Sequence, residues 1–525
     1  MSKDCRREGN AQPQFASQGQ TYGQILKSSA VIGGSSALNI GFRIVRTKIM
    51  AVLLGPAGIG LLGLYGSVAD LSGSVIGMGL NSSGVRQIAE AAGTGDAPRI
   101  ARTVTALRRV ALCCGALGTL LLVIFKDALS QLTFGDHQHG RSIALLSLAV
   151  FFTVVSGAQT AVVQGMRRIV DLARINVLGA FFSTLLGVLV VYLYYRFGRA
   201  ADGVVPSLVC VAAMGVVTSW WYARKIKVEQ VKTTSRQVVD EISALLKMGM
   251  AFMTAGVLLV GSGYAARIII LQTLSLEAAG YYQSAWAIGG LYVGFILDAM
   301  GADFFPRLTA VAHKDGESNR LVNEQVEIGL LLAVPGTIGM LAFAPAMIEL
   351  FYGAKFGPAV GVVRWICLGM ILRIVTWPMG YLLLAKGKRN LFIWTELLKN
   401  LSYVAMVWLG IRFFGLAGTG MAFFCMYVAY YAIIYTAANR VSGFAWSAAN
   451  RRLAFLFAPP IAIVGFSWHF LPSIPALIVG VVLALALGIL SLRKLTALVP
   501  LQRMPAIVQK MLTVFRLTPG ASGPS

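Results

Sequence analysis

Residues 25–54 read ILKSSAVIGGSSALNIGFRIVRTKIMAVLL; the chain then turns through Gly55-Pro56-Ala57-Gly58 and continues over residues 59–80 as IGLLGLYGSVADLSGSVIGMGL. Each run is long enough to cross a bilayer, since about 20 apolar residues rising 1.5 Å apiece span ~30 Å of hydrocarbon. Gly and Pro between them interrupt the helix, so the pair reads as a transmembrane helical hairpin. The hairpin is charged inside: the first run carries Arg43, Arg46 and Lys48, and the second carries Asp70. A charge at the centre of a bilayer helix costs about 2.5–3.5 kcal/mol on insertion scales, so these residues need partners or a ligand.

Apolar runs of this kind recur along the whole 525-residue chain, which is 57% hydrophobic and only 13% charged. A soluble domain would carry roughly 25% charged residues. Lipid offers the backbone no hydrogen bonds, which leaves helices or a closed barrel. The runs far exceed the ~10 alternating residues of a barrel strand. The fold class expected is an all-α polytopic membrane protein of about fourteen helices.

The net charge of +24 would suggest nucleic acid in a soluble protein. Here it follows from basic loops on one side of the membrane, and no nucleic-acid partner is expected. An even helix count puts both termini on one side. Connections there hold Arg86, Arg99, Arg102, Arg167, Arg168, Arg174, Arg224, Lys225 and many more, against Lys126, Arg141, Arg196, Arg199, Lys355 and Arg412 opposite. That asymmetry reads as cytoplasmic termini. The cysteines sit in the amino-terminal tail or in apolar runs without metal spacing and read as small core residues. No metal, cofactor or catalytic constellation is expected, and the chain is not read as an enzyme.

A shift of 220 residues aligns Leu26-Lys27 with Leu246-Lys247, Gly41 with Gly261, Ile49 with Ile269 and Gly60 with Gly280. In both copies a basic residue opens a long helix that carries an arginine and ends in a tight turn. Two six-helix lobes related by a parallel repeat follow. The expected organisation is a disordered tail over 1–21, an N-lobe over 22–223, a basic linker over 224–241 and a C-lobe over 242–440. Two extra helices follow within 441–492, and then a basic tail over 493–525. Within that tail, residues 503–516 have the spacing of an amphipathic helix suited to an anionic leaflet, which makes membrane lipids a partner.

Depth sorts the intramembrane charges. Lys247 and Arg364 lie near helix ends and can snorkel. Lys399 follows Glu396 by three residues and can pair with it on one helix face. Arg43 lies roughly 17 Å from the turn, near mid-bilayer, with Arg46 on the same face. Asp70 falls at the depth of Arg43 in an antiparallel hairpin and is expected as its counter-ion or as a coupling group. Arg267 takes the equivalent depth in the second lobe, and Arg373 is also central. The four arginines are expected to converge on one water-lined cavity built for an anionic ligand, because an unpaired buried arginine is costly and one awaiting an anion in water is not. Lys48 is read as a bystander.

Two motifs carry no function in this reading. Gly58-Ile59-Gly60-Leu61-Leu62-Gly63 matches the dinucleotide fingerprint but follows a membrane helix, so it reads as close helix packing. No GxxxxGK[ST] sequence occurs. His137 and His139 share a short loop and read as solvated.

The residues 51–63, Ala-Val-Leu-Leu-Gly-Pro-Ala-Gly-Ile-Gly-Leu-Leu-Gly, followed by Gly79-Leu80-Asn81-Ser82-Ser83-Gly84-Val85-Arg86, resemble the opening of Wzx-type O-antigen translocases. Phe351-Tyr352-Gly353-Ala354-Lys355-Phe356 is similar to a later turn of the same family. These translocases belong to the multidrug/oligosaccharidyl-lipid/polysaccharide (MOP) exporter superfamily. The resemblance implies a V-shaped pair of lobes and a flippase in the bacterial inner membrane that moves a polyprenyl-diphosphate oligosaccharide. It implies basic cavity residues for the diphosphate, a role carried by position onto Arg43, Arg46, Arg267 and Arg373. It also implies a polysaccharide polymerase and a chain-length regulator as partners, and leaves Na+ or H+ open as the coupling ion. The two extra helices resemble those of lipid II flippases, so a peptidoglycan-precursor flippase and a multidrug antiporter stay open as alternatives.

Overall fold

A computed structural model describes residues 18–226 and 235–498, and among these every regular element is helical. The basic stretch 503–516 and most of the 1–21 tail lie outside the described residues. The helices are α1 (Gln18–Ile76), α2 (Leu80–Thr94), α3 (Ala97–Ile124), α4 (Lys126–Phe134), α5 (Gly140–Gly165), α6 (Ile169–Arg196), α7 (Val204–Ala223) and α8 (Ser235–Thr273). They continue with α9 (Leu276–Ala310), α10 (Asp315–Phe351), α11 (Ala359–Ala385), α12 (Arg389–Phe414), α13 (Ala417–Ser442), α14 (Ala448–Phe470) and α15 (Ser473–Leu498).

Gly55 divides α1 into two helices: its φ of 66° and ψ of −173° lie outside the helical region, in backbone space that glycine tolerates and other residues avoid. The second half, from Pro56, runs antiparallel to α8, with Gly79 beside Gly249, Ser74 beside Gly256 and Leu71 beside Gly261. The break read from the sequence at Gly55-Pro56 is present. Eleven helices among the described residues are long and apolar enough to cross a membrane. Taking the halves of α1 apart and adding α9 and α14 brings the arrangement to fourteen. The amphipathic helices α2 and α4 are additions that apolar runs did not signal.

The repeat is visible in the element starts. The pairs α3 and α10, α5 and α11, and α6 and α12 begin 218, 219 and 220 residues apart. Side-chain caps fix two helix starts: at α3 Asp96 Oδ1 accepts from Arg99 N at 2.8 Å, and at α9 Ser275 Oγ accepts from Ala278 N at 3.1 Å. The largest buried apolar cluster spans α9 to α15 and takes in Met50, Ile59 and Leu64 of α1. A second joins α2, α3 and α5 to Leu245 of α8. Outward-facing positions stay apolar, as at Leu117 (58% exposed) and Leu485 (63%), which is what a lipid solvent selects.

The pair α14–α15 is fastened to α10 by a polar knot. Asn323 donates to the Ala445 carbonyl at 3.1 Å and accepts from Ser447 N at 2.8 Å, and Asn450 Nδ2 donates to its backbone oxygen at 2.9 Å. Asn323 and Asn450 are both buried, so these bonds replace water that could not reach them.

Candidate functional site

Arg43 and Arg46 line one cavity of about 320 Å³ between the first half of α1 and helices α5, α6 and α7. Three residues apart on a helix, they present their guanidinium groups on one face. Arg43 is exposed and Arg46 half-buried. Around them stand Asn39, Ser156, Thr160, Asn176, Ser183 and Thr218, and no acidic side chain among the described residues lines the cavity. The first half of α1 is tied to α6 beside the site: Thr184 Oγ1 donates to the Phe42 carbonyl at 3.3 Å, and Phe42 meets Phe181 edge-on at 5.6 Å. The result is a hydrophilic chamber with two fixed cations on one wall and neutral donors and acceptors on the others. Guanidinium forks of this kind match phosphate oxygens two at a time.

The expectation of one cavity shared by four arginines needs correction. Arg267 is held elsewhere: its Nε donates to Gln283 Oε1 at 3.0 Å, its Nη1 to the Gly263 carbonyl at 2.9 Å, and it lies 5.7 Å over the Tyr282 ring. Asp70 is likewise within electrostatic reach of Arg267. Rotation about the helix axis, which depth along a helix does not give, decides what these charges face. The second half of α1 turns Asp70 toward α8. Arg373 is half-buried on α11 with Met370 Sδ at 3.9 Å from its Nη1, and it does not line the Arg43–Arg46 cavity.

The remaining charges fall into place around the site. Lys48 Nζ donates to the Glu349 carbonyl at 2.9 Å, tying α1 to the end of α10. Lys399 pairs with Glu396 at 2.5 Å, as its spacing suggested. Arg364 stacks on Trp468 at 4.4 Å. Two glycines of the fingerprint-like stretch pack against α9: a Cβ on Gly60 would collide with the Leu276 carbonyl oxygen, and one on Gly63 would lie 2.9 Å from Gln283 Oε1. His139 is not simply solvated: its Nδ1 lies 2.7 Å from the Tyr65 hydroxyl, and its ring stacks on Phe134 at 3.9 Å. Arg108, eleven residues into α3, is an arginine that sequence reading missed; its cavity is described below.

Among curated proteins the chain is similar to the lipid III flippase of Escherichia coli (strain K12), with 24% identity over 414 residues that cover 78% of this chain and 97% of the relative. Among solved structures it superimposes on an inward-facing MATE family multidrug resistance transporter of the MOP superfamily. The TM-score is 0.66 at 15% identity, covering 77% of this chain and 94% of the other. The lipid II flippase MurJ in its inward closed conformation gives a TM-score of 0.64 at 12% identity, covering 90% of this chain and 99% of MurJ. At such identities these structures establish the shared fold. The family model described as "Polysaccharide biosynthesis protein" matches residues 49–361, more than half of the chain. The chain is a multi-pass membrane protein with the MATE-like fold, and it belongs to the polysaccharide biosynthesis protein family.

Proposed function

We propose that the chain is a flippase that carries a polyprenyl-diphosphate-linked oligosaccharide, an O-antigen or exopolysaccharide repeat unit, across the bacterial inner membrane. Both termini then lie in the cytoplasm. The observation that carries this reading is the pairing of Arg43 and Arg46 in a hydrophilic cavity with no acidic lining residue among the described ones. The diphosphate binds the two guanidiniums, and the first sugars meet Asn39, Asn176, Ser183 and Thr218. The prenyl tail stays in lipid. Alternating access follows from rocking of the lobes about the site. Asp70 serves Arg267 as counter-charge, and Arg373 is a second-lobe contact for the cargo once the lobes have moved. A polymerase and a chain-length regulator are the partners this pathway implies.

A multidrug exporter on the same fold would carry cations and need carboxylates in its cavity, which this lining lacks. The family match and the lipid III flippase likeness support a lipid-linked sugar instead. The test is flipping of a fluorescent polyprenyl-diphosphate oligosaccharide in proteoliposomes. Arg43→Ala and Arg46→Ala should each slow it at least tenfold, the scale of one lost charge-assisted hydrogen bond. Undiminished flipping by the double variant would overturn the assignment. Arg→Lys variants separate a need for charge from a need for the planar fork.

A further inference from the structure

A second basic cavity lies on another face of α5. It has a volume of about 370 Å³ and is lined by Arg108 and Leu112 of α3, Val155, Ala158 and Gln159 of α5, and Trp220 and Arg224 at the end of α7. Arg224 is set between two indoles, 3.7 Å over the Trp221 ring and 4.5 Å over that of Trp220. Stacking of this kind fixes the guanidinium plane while leaving its N–H edge free to donate. Gln159 Oε1 accepts the Ser219 hydroxyl at 2.7 Å, which orients its amide toward the cavity. No acidic residue among the described ones lines the space.

Position adds to the chemistry. Arg224 caps the carboxyl end of α7, which the proposed cytoplasmic termini put on the cytoplasmic side. Trp220 and Trp221 are half exposed there, at the level where amphipathic rings mark a membrane–water boundary. Leu112 is 49% exposed and continues the apolar wall toward lipid. A two-cation recess at the headgroup level, with an aromatic rim and an apolar floor, has the form of a site for a lipid phosphate.

We infer that Arg108 and Arg224 bind the phosphate headgroup of an anionic membrane lipid in the leaflet on the side of the termini. The two guanidiniums clamp the phosphodiester, Gln159 bonds the headgroup's polar end, and Leu112 with Val155 receives the start of an acyl chain. This site is separate from the Arg43–Arg46 cavity, so it stands or falls independently of the cargo.

Native mass spectrometry of the full chain, released from detergent with equal amounts of phosphatidylglycerol and phosphatidylcholine, tests it. Wild-type protein should retain phosphatidylglycerol preferentially. Arg108→Gln and Arg224→Gln should each lower that retention roughly tenfold. Arg109→Gln, one residue outside the cavity, should leave it unchanged and controls for general loss of surface charge. Arg224→Lys keeps the charge but not the stacked plane, and should retain lipid at an intermediate level, which guards against variants that misfold. Equal retention of both lipids, or equal retention by wild type and the two Gln variants, would overturn the proposal. Displacement of phosphatidylglycerol by millimolar inorganic diphosphate would also overturn it, by assigning the recess to a soluble anion.

Discussion

Gly60 and Gly280, equivalent positions 220 residues apart in the repeat, touch one another: a Cβ on Gly60 would lie 3.0 Å from the Gly280 nitrogen, and one on Gly280 would strike the Pro56 carbonyl oxygen. A residue meets its own repeat partner only near the axis that relates the two halves. Glycine there lets two backbones approach to a distance that any side chain forbids. Gly60→Ala or Gly280→Ala should force the helices apart and cost about 1–3 kcal/mol. A fall in the thermal unfolding midpoint of the detergent-purified protein checks this, and Gly66→Ala, where a Cβ meets open space, should leave the midpoint unmoved.

The Glu396–Lys399 pair makes a prediction about single and double variants. Their side chains are 24% and 13% exposed, and Tyr430 donates its hydroxyl to Glu396 at 2.9 Å. Lys399→Met leaves a carboxylate without its cation and should cost about 3–5 kcal/mol, whereas Glu396→Gln with Lys399→Met together should cost far less. Thermal unfolding of the three variants completes the cycle.

Asn323 carries several bonds of the α10–α14 knot. Asn323→Leu should cost at least about 2 kcal/mol, because it takes away the side-chain partners of the Ser447 amide and the Ala445 carbonyl in a buried setting. Since the knot holds α14–α15 to the rest of the molecule, proteolysis between α13 and α14 should accelerate in the same variant.

His139 gives a pH dependence with a defined sign. Burial holds its imidazole below the usual histidine range, with Asp136 pulling it partly back. The unfolded chain therefore takes up a proton first, near pH 6.5, and the stability His139 contributes is present above that pH and lost as pH falls below it. Unfolding midpoints measured between pH 8 and pH 5 should drop more steeply for wild type than for His139→Gln.

Much of this architecture is legible before any coordinates, and the reasons are physical. A bilayer demands long apolar helices, so Ile25–Leu54 and its successors announce themselves by length alone. Isolated charges stand out against such runs, which is why Arg43 and Arg46 are found from sequence and do share a cavity. What the runs do not encode is the rotation of each helix about its axis. Equal spacing from the turn pairs Asp70 with Arg43, yet Asp70 lies within electrostatic reach of Arg267, whose bonds to Gln283 and Gly263 only the packing reveals. Arg108 escapes notice because it borders an apolar run and looks like an ordinary interfacial cation. His139 escapes because its partners, Tyr65 and Phe134, are remote or apolar.

The bond from Thr184 to the Phe42 carbonyl has a mechanical meaning. It joins the segment bearing Arg43 and Arg46 to α6, so both cations ride on the same half of the molecule. On the proposed function, a phosphate bound there would be freight on one arm of a lever. Were the halves to swing, it would stay with that arm while its surroundings are exchanged, and release would come from water reaching the guanidiniums.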